Sequence, residues 1–427
     1  MILWGRRVGA VASADNGFAE FQYDPAFVAG GLEVAPLTLP LVAGVYRFPE
    51  LAYGTFQGLP GLLADSLPDR YGNALIDAWL ASRGLTAQSM GPVERLCYAG
   101  SRAMGALEFV PSNGPEDTSD VLNVAELTEI ARLALTQREQ LAASLTDTER
   151  GRAVQQIMRV GTSAGGARPK AVIAWNRATG EIRSGQLPAQ PGFEHWLLKF
   201  DVEDHGARGD ETGSGLVGLG RVEHAYALMA QDAGINMAEH QLLEEGGHAH
   251  FMSKRFDRTA NGEKLHMLTL CGIVHLDFNM PTTSTYEQAF QVIRQLGLGA
   301  GATSEMFRRA VFNILARNHD DHTKNTSFLM NRDGRWSLAP AYDLTYAYDP
   351  TGKWTSKHQM SLAGKRDAFT IDDLDKAAST AMLKQGQAKR ILTTVTDAIA
   401  RWPEHANTAG VPERTAKAIG NTHRRLT

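Results

Sequence analysis

The sequence is poor in the features that mark secreted and strongly nucleic-acid-binding proteins. Only two of its 427 residues are cysteines, Cys97 and Cys271, and they lie far apart. Because this spacing suits neither a zinc site nor a disulfide framework, both are interpreted as packed thiols. The formal net charge of −4 argues against nucleic-acid binding through a global positive field. Nucleic-acid binding through a local basic patch, or through a DNA-binding partner, is compatible with this charge.

Long apolar runs are also missing. The longest runs, such as Phe27–Val34, are broken by glycine and glutamate. They stop far short of the roughly 20 residues that a membrane span requires. The basic pair Arg6–Arg7 is not followed by the apolar core of a secretion signal. We therefore expect a cytoplasmic protein with no membrane partner.

The length and composition indicate a globular protein of several domains. A chain of 427 residues is too long for one ordinary core, which favours two or three domains. Hydrophobic residues make up 43% and charged residues 21%, as in soluble globular proteins. The turn-rich segment Pro111–Thr118 follows a candidate strand, Ala106–Val110, and suggests a domain boundary. A second polar segment, Asp204–Gly215, is interpreted as a mobile surface loop.

Hydrophobic periodicity divides the chain into three parts. Before residue 110, short strands precede a helix with one apolar face formed by Leu75, Ile76, Trp79 and Leu80. Between about 150 and 260, a mixed α/β order suits nucleotide binding; its candidate elements are strand Lys170–Trp175, strand His195–Phe200, helix Val222–Ala233 and strand Phe251–Phe256. After residue 285 the pattern is mostly helical, with an apolar stripe at Phe307, Val311, Ile314 and Leu315. Thr303 or Ser304 is the predicted N-cap of that last helix.

The segment Ala316–Asn325, at the end of this helix, is rich in catalytic residue types. Asp320 precedes Asn325 by five positions, which is the interval used in the catalytic loop of protein kinases. There the aspartate accepts the proton of the substrate hydroxyl and the asparagine holds Mg²⁺. The simplest alternative is that these polar residues form a solvated loop. A zinc or hydrolase site from His319, Asp320 and His322 is disfavoured, because the ligands are too close in sequence and no HExxH pattern exists.

A predicted β-hairpin follows this segment. Strand Thr326–Met330 leads into a turn at Asn331–Gly334 and then into strand Trp336–Leu338. Antiparallel pairing about that turn places position 325 opposite roughly position 342, which brings Asp343 beside Asn325. Carboxylate and amide oxygens are the ligand types that Mg²⁺ prefers. The sequence therefore predicts a magnesium site at this point.

A glycine-rich turn, Val160–Lys170, has the chemistry of a phosphate-binding loop. Glycine allows successive backbone N–H groups to face an anion, and Lys170 adds charge. The turn matches neither GxxxxGK[ST] nor GxGxxG, so alone it is a weak signal. Lys199 lies in an apolar strand, where burial requires an anionic partner such as phosphate. The alternative is an edge-strand lysine that faces water. Glu223, which opens the next helix, could orient Lys199, and its own alternative is a solvated glutamate in the first turn of a helix.

With these motifs in place, the chain resembles the HipA family, the serine/threonine kinase toxins of bacterial HipBA toxin–antitoxin modules. The resemblance covers nearly the whole chain and rests on six segments: Gly58–Gly72, Ser163–Lys170, Leu197–Lys199, Lys254–Arg258, Asp320–Asn325 and Tyr342–Leu344. It implies an α+β, two-lobed kinase fold with a small N-terminal subdomain. We place that subdomain at 1–112, the nucleotide-binding lobe at 113–260 and a mostly helical lobe at 261–427.

The resemblance also implies roles for individual residues. Asp320 would be the catalytic base, Asn325 and Asp343 would hold Mg²⁺, and Lys199 would contact the nucleotide phosphates. The phosphate-binding loop would comprise Ser163, Ala164, Gly165, Gly166, Ala167 and Lys170. Autophosphorylation of Ser163 would displace this loop and silence the kinase. Phe256 would lie at the adenine-side hinge, with His322 and Tyr342 near the nucleotide.

The function implied is ATP- and Mg²⁺-dependent phosphorylation of a protein serine or threonine. By family analogy the target is an aminoacyl-tRNA synthetase, the partner is a HipB-like helix-turn-helix antitoxin, and DNA is reached only through that antitoxin. Two departures, the residues of the 165–170 loop and a basic Lys254 where the best-known toxin is acidic, leave the target open. The alternatives are a weakly active or silent corepressor that acts with the antitoxin, and a small-molecule kinase.

Overall fold

The computed structural model describes residues 1–14, 17–115, 118, 120–136, 150–161, 168–187, 190–202 and 218–426. Helices and antiparallel sheets alternate along these ranges, which confirms the predicted α+β class. The predicted loop residues 163–167 and the whole polar segment 204–215 fall on positions outside these ranges. In the described part of the chain, no helix combines the length and the apolar character needed to cross a membrane.

The first part of the chain forms two small sheets and short helices. Its strands are β1 (Ile2–Leu3), β2 (Arg6–Arg7), β3 (Gly9–Ser13), β4 (Ala19–Tyr23), β5 (Val45–Tyr46) and β6 (Leu107–Glu108). Its helices are α1 (Pro25–Ala29), α2 (Tyr53–Phe56), α3 (Gly61–Ala64), α4 (Arg70–Ser82) and α5 (Pro92–Ala99). The strand orders are β2-β1-β6 and β3-β4-β5. The predicted amphipathic helix is α4, whose Leu75, Ile76 and Leu80 are buried.

The middle of the chain is built around a five-stranded antiparallel sheet of order β10-β11-β9-β7-β8. Its strands are β7 (Lys170–Trp175), β8 (Ile182–Ser184), β9 (Glu194–Lys199), β10 (His240–Glu245) and β11 (His248–Lys254). The helices are α6 (Val124–Thr136), α7 (Arg150–Val160) and α8 (Leu219–Asp232). The predicted elements in this part are confirmed, with ends shifted by up to three residues. Helix α4 shares a core with α6, α7 and this sheet, so the first part of the chain is integrated with the second.

The last part is mostly helical, as predicted. Its strands are β12 (His266–Thr269), β13 (Ser327–Met330) and β14 (Trp336–Leu338). Its helices are α9 (Leu270–Val274), α10 (Tyr286–Gln295), α11 (Gly299–Ala316), α12 (Ile371–Thr380), α13 (Gln387–Ala400), α14 (Trp402–Thr408) and α15 (Glu413–Gly420). The apolar stripe of α11 is buried in the main core. Short 3₁₀ turns at 87–89, 281–283 and 323–325 complete the described elements.

The predicted N-cap of α11 is wrong. The helix begins at Gly299, directly after a tight turn in which Gly297 has a φ of +68°. Thr303 and Ser304 therefore lie inside the helix, where their hydroxyls bond back to the carbonyls of Gly299 and Ala300. Such back-bonding to the preceding turn is the usual way in which serine and threonine are accommodated in a helix interior. The glycines at 299 and 301 hid the true start of the helix.

The predicted hairpin is confirmed and has a third strand. Phe328 pairs with Leu338, and Met330 pairs with Trp336. Strand β12 joins β13 on the other side. Extended to the catalytic segment, the observed register places position 325 opposite Ala341, one residue from the predicted partner. The hairpin returns the chain to the end of α11, where the candidate site lies.

Candidate active site

The candidate site begins where helix α11 ends. Arg317 adopts a left-handed conformation, with a φ of +58°, and ends the helix. The chain then turns through residues 318–325, and Asn325 Nδ2 donates to the Asp320 carbonyl oxygen at 2.8 Å. This bond closes the loop and fixes Asn325 against the backbone of Asp320. The two residues of the predicted kinase interval therefore lie together.

Asp320 carries a carboxyl group that is poised to accept a proton. Nearly half of its side chain is accessible, and His322 Nε2 lies 3.6 Å from its Oδ1 atom. Burial among the surrounding protein atoms, together with the carboxylates of Asp343 and Asp321, raises the pKa of Asp320 to about 6. A pKa near neutrality is the value that a general base needs, because the group is then both ionised and basic.

The neighbouring Asp321 has a different environment, which sequence reasoning missed. Its side chain is fully buried and accepts hydrogen bonds from the Tyr286 hydroxyl at 2.6 Å, the Gln359 backbone N–H at 2.7 Å and His358 Nδ1 at 2.9 Å. Although burial opposes its ionisation, His358 and the other donors lower the pKa of Asp321 below its ordinary value. Asp321 therefore anchors the loop, while Asp320 faces the cleft.

Asp343 follows the hairpin and reaches Lys199. The segment before it is tied down because Ala341 exchanges backbone hydrogen bonds with residues 236–238. Asp343 has a φ of +56°, a left-handed conformation that aspartate tolerates better than most residues. Its Oδ1 accepts a hydrogen bond from Lys199 Nζ. Burial opposes ionisation, but the Lys199 ammonium lowers the pKa of Asp343 to about 2.

Lys199 is the centre of an ion network between the two lobes. It is 7% exposed, and Nζ donates to both Asp343 and Glu223. The second oxygen of Glu223 accepts from Arg168 Nη1 at 2.8 Å. Burial disfavours the Lys199 ammonium, but the two carboxylates raise its pKa above the ordinary value. The predicted need for an anionic partner and the predicted contact with Glu223 are confirmed, and the water-facing alternative is wrong.

Lys170 lies opposite Lys199 in the β7–β9 ladder. It is 1% exposed, and its Nζ forms an ion pair with Asp69 Oδ2 at 2.7 Å. Its predicted contact with phosphate stays a prediction. Lys254, the basic departure from the family pattern, pairs instead with Glu194 and Glu239 on the sheet surface.

Two aromatic residues line the site on the hairpin side. The rings of Phe256 and Tyr342 pack with centroids 5.4 Å apart. The Tyr342 hydroxyl donates to the Lys324 carbonyl at 2.5 Å and contacts Ser327 Oγ at 2.6 Å. Tyr342 is thus fixed on the candidate catalytic loop, at the residue before Asn325. The assignment of Phe256, Tyr342 and His322 to the nucleotide stays a prediction.

The chemistry of the donors fits Mg²⁺ better than zinc. Over the positions that the structure describes, no three side chains of His, Cys, Asp or Glu are placed to hold a metal together. His319 is committed to the Thr355 carbonyl at 2.8 Å, so it does not join Asp320 and His322 in a zinc site. Mg²⁺ takes one or two carboxylates and completes its shell with waters and phosphates. The ionised Asp343 and the Asn325 amide oxygen suit that requirement.

The committed loop residues Ser163, Ala164, Gly165, Gly166 and Ala167 lie outside the described residues. Their phosphate contacts, and autophosphorylation of Ser163, stay predictions. Arg168 and Lys170, which follow the loop, are described and reach Glu223 and Asp69 respectively. The end of this region at Arg168 therefore contacts Glu223, a member of the Lys199 network.

Comparison with known proteins finds a relative by sequence and neighbours by structure to set beside this chain. A Haemophilus influenzae protein, provisionally named a kinase, is 28% identical over 138 residues, which span 29% of this chain and 40% of that protein. A HipA chain from the Shewanella oneidensis complex of HipA, HipB and operator DNA superposes with a TM-score of 0.67 and 18% sequence identity. The match covers 98% of this chain and 93% of that chain, so the two share a fold. The Helicobacter pylori proinflammatory kinase CtkA has a TM-score of 0.29 and 11% identity, covering 53% of this chain and 92% of its own.

Two family models match the chain. Residues 1–110 match the HipA N-terminal domain, and residues 162–402 match the HipA-like C-terminal domain. The second match alone covers more than half of the chain, and it includes every residue of the Lys199 network and of the catalytic loop. The chain therefore belongs to the HipA family.

Proposed function

We propose that this protein is an ATP- and Mg²⁺-dependent protein kinase that phosphorylates a serine or threonine. The observation that carries the proposal is the position of Asp320. Its carboxyl group, with a pKa of about 6, lies near the Lys199–Asp343 ion pair and on the loop that Asn325 closes. A base, an ammonium group and hard oxygen donors are the groups that phosphoryl transfer requires.

In the proposed reaction, the substrate hydroxyl attacks the γ-phosphorus of ATP in line with the departing ADP oxygen. The bond from phosphorus to that oxygen breaks, the new bond to the substrate oxygen forms, and Asp320 takes the hydroxyl proton. Lys199, which is held by Glu223, contacts a phosphate oxygen. Mg²⁺, held by Asn325 and Asp343, would neutralise charge on the transferring phosphates. The protein contributes position and charge, and no covalent intermediate is needed.

The direct test is transfer from γ-labelled ATP to lysate proteins, with the labelled products identified by mass spectrometry. We expect label on serine or threonine of a small number of proteins, and no label with Asp320→Asn. Label on a metabolite would favour the small-molecule kinase instead. Absence of any Mg·ATP binding by the unsubstituted chain would refute the kinase assignment.

The target and the partner are proposed from the family. We infer a translation component such as an aminoacyl-tRNA synthetase as the target, so that phosphorylation would inhibit growth. A HipB-like antitoxin is the proposed partner, because the Shewanella oneidensis structure contains HipA, HipB and operator DNA. With a net charge of −4, this chain would reach DNA through that partner. Co-purification with the antitoxin and operator binding by the pair test this part.

The alternative of a silent corepressor predicts the same partner without phosphoryl transfer. Asp320, Asn325, Asp343 and Lys199 are all present, Asn325 bonds the Asp320 carbonyl and Lys199 pairs with Asp343, which favours the active kinase. Autophosphorylation at Ser163, the domain boundaries at 112 and 260, and a cytoplasmic location belong to the same proposal. Peptide mapping after incubation with Mg·ATP tests the modification of Ser163.

A further inference from the structure

The segment Gly58–Gly72 reaches the candidate site from the N-terminal domain. It is one of the motifs that carry the family resemblance, yet the proposed chemistry gives it no role. Its helix α3 packs directly on α9 of the C-terminal domain. A Cβ atom on Gly61 would lie only 2.1 Å from the Gly272 carbonyl oxygen, so the two backbones are in contact. Asp65 then accepts hydrogen bonds from the backbone N–H and the hydroxyl of Thr269, at 2.7 and 2.9 Å.

Four residues further on, Asp69 crosses to the nucleotide-binding lobe. One carboxylate oxygen caps helix α4 by accepting from the Gly72 N–H. The other is ion-paired with Lys170 Nζ at 2.7 Å. The side chains are 8% and 2% exposed, so neither charge is screened by water. A buried ammonium group is stable only beside an opposite charge, which Asp69 supplies.

The position of Lys170 makes this pair relevant to the site. Lys170 and Lys199 are directly opposite each other on β7 and β9, so their side chains leave the sheet on the same face. Like charges in this arrangement repel. Each lysine has its own carboxylates, which offset this repulsion: Asp69 for Lys170, and Glu223 with Asp343 for Lys199. The Asp343 carboxylate also acts electrostatically on Lys170.

We propose that Asp69 is a positioning residue for nucleotide binding, through which the N-terminal domain sets the Mg·ATP affinity of the kinase domain. By neutralising Lys170, it prevents that ammonium group from competing with Lys199 for Asp343. Asp343 then stays available for the metal and Lys199 for phosphate. This inference rests on the proposed function, and its consequence is specific: loss of the Asp69 charge weakens Mg·ATP binding more than it slows the chemical step.

The test uses variants that separate the charge of Asp69 from its role as a helix cap. Asp69→Ser keeps an N-cap oxygen for Gly72 but removes the ion pair. Asp69→Glu keeps the charge and should restore part of the function. Asp24→Ser, at the N-cap of α1 and far from the site in the fold, controls for a general effect of replacing a capping aspartate. Each full-length variant is measured for its Mg·ATP dissociation constant by calorimetry, and for KM and kcat.

We expect Asp69→Ser to bind Mg·ATP about tenfold more weakly, the loss typical of one charge-assisted hydrogen bond, with a smaller change in kcat. Asp24→Ser should bind normally. Unchanged Mg·ATP affinity in Asp69→Ser would overturn the inference while leaving the proposed kinase intact. Failure of the unsubstituted chain to bind Mg·ATP would overturn both.

A double-variant comparison shows whether Asp69 acts through Lys170. The double variant Asp69→Ser/Lys170→Met should bind Mg·ATP no more weakly than Lys170→Met alone, because the partner of Asp69 is already gone. If the double variant binds Mg·ATP more weakly than Lys170→Met alone, Asp69 acts by another route and the inference is wrong. This comparison remains decisive even if Asp69→Ser alone does not fold, since neither of its two variants contains the Lys170 ammonium.

Discussion

Replacement of Asp321 by asparagine should destabilise the catalytic loop, because Asp321 supports the structure of the loop and is not assigned to the phosphoryl-transfer step. Asp321 Oδ2 accepts from both Tyr286 and His358, and Oδ1 accepts from the Gln359 backbone. An asparagine side chain has one oxygen and one donating NH₂ group. Whichever way it is oriented, at least one of these buried donors faces an NH₂ group instead of an acceptor.

The size of the effect follows from the burial of the site. Asp321 and His358 side chains are 1% and 0% exposed, so water cannot replace the lost acceptor. Leaving a buried hydrogen-bond donor without its acceptor typically costs about 1–3 kcal/mol. The lowered pKa of Asp321 gives the pH dependence its sign. Its contribution to stability is complete above its unfolded-state pKa and is lost as the pH falls through the lower folded-state value, so the difference between wild type and Asp321→Asn should shrink in acid.

Asp320→Asn is the matched control, because it makes the same substitution one residue earlier. Asp320 is partly exposed and its pKa is raised to about 6, so its negative charge does not stabilise the fold at neutral pH. Urea unfolding of the full chain should therefore show a large loss of stability for Asp321→Asn and none for Asp320→Asn. Only the second should keep Mg·ATP binding while losing phosphoryl transfer. A loss below about 1 kcal/mol for Asp321→Asn, within the range of an ordinary surface substitution, would refute this reasoning.

Three further outcomes are expected. The rate of transfer should fall as the pH drops through about 6, because protonated Asp320 cannot accept the hydroxyl proton; a pH–rate profile that is flat from 7 to 5 would contradict this. Asp343→Ala should weaken nucleotide binding in the presence of Mg²⁺ more than in its absence, and equal losses by calorimetry would exclude a metal role. Arg424→Ala should lower the melting temperature, because the Arg424 side chain bonds Asp367 and is only 8% exposed. The same change at its exposed neighbour Arg425 should not, and equal melting temperatures for the two variants would count against the Arg424 contact.

The parts of the site that sequence reasoning predicted were those with a local pattern. Strand Lys170–Trp175 matched the structure at both ends, since a short apolar run bounded by turn residues is a strong strand signal. The need of Lys199 for an anionic partner followed from its apolar neighbours, and the structure supplies Glu223 and Asp343. The strand and the partner of Lys199 could each be predicted because each depends on the residue types at a few neighbouring positions of the sequence.

The parts that could not be predicted depend on contacts between distant segments. Asp320 and Asp321 are chemically identical neighbours, and their separate roles arise from Tyr286 and His358, more than thirty residues away on either side. The pairing of Asp69 with Lys170 spans 101 positions and two domains. Neither pair is marked by spacing or composition. The only available signal was that the segment Gly58–Gly72 contributes to the family resemblance without an assigned role.

The position of Asp343 shows how a local prediction and a tertiary contact combine. Hairpin geometry predicted Asp343 near Asn325, but the observed ladder ends near Ser327, where Ala339 donates the last backbone bond, and only its extension would place Asn325 opposite Ala341. Beyond that point Ala341 bonds residues 236–238, and Tyr342 bonds back to the carbonyl of Lys324. The orientation of Asp343 toward Lys199 is therefore set by these contacts and by its left-handed backbone. The hairpin supplies the approach to the site, whereas the contacts of Ala341 and Tyr342 direct the following Asp343 toward Lys199.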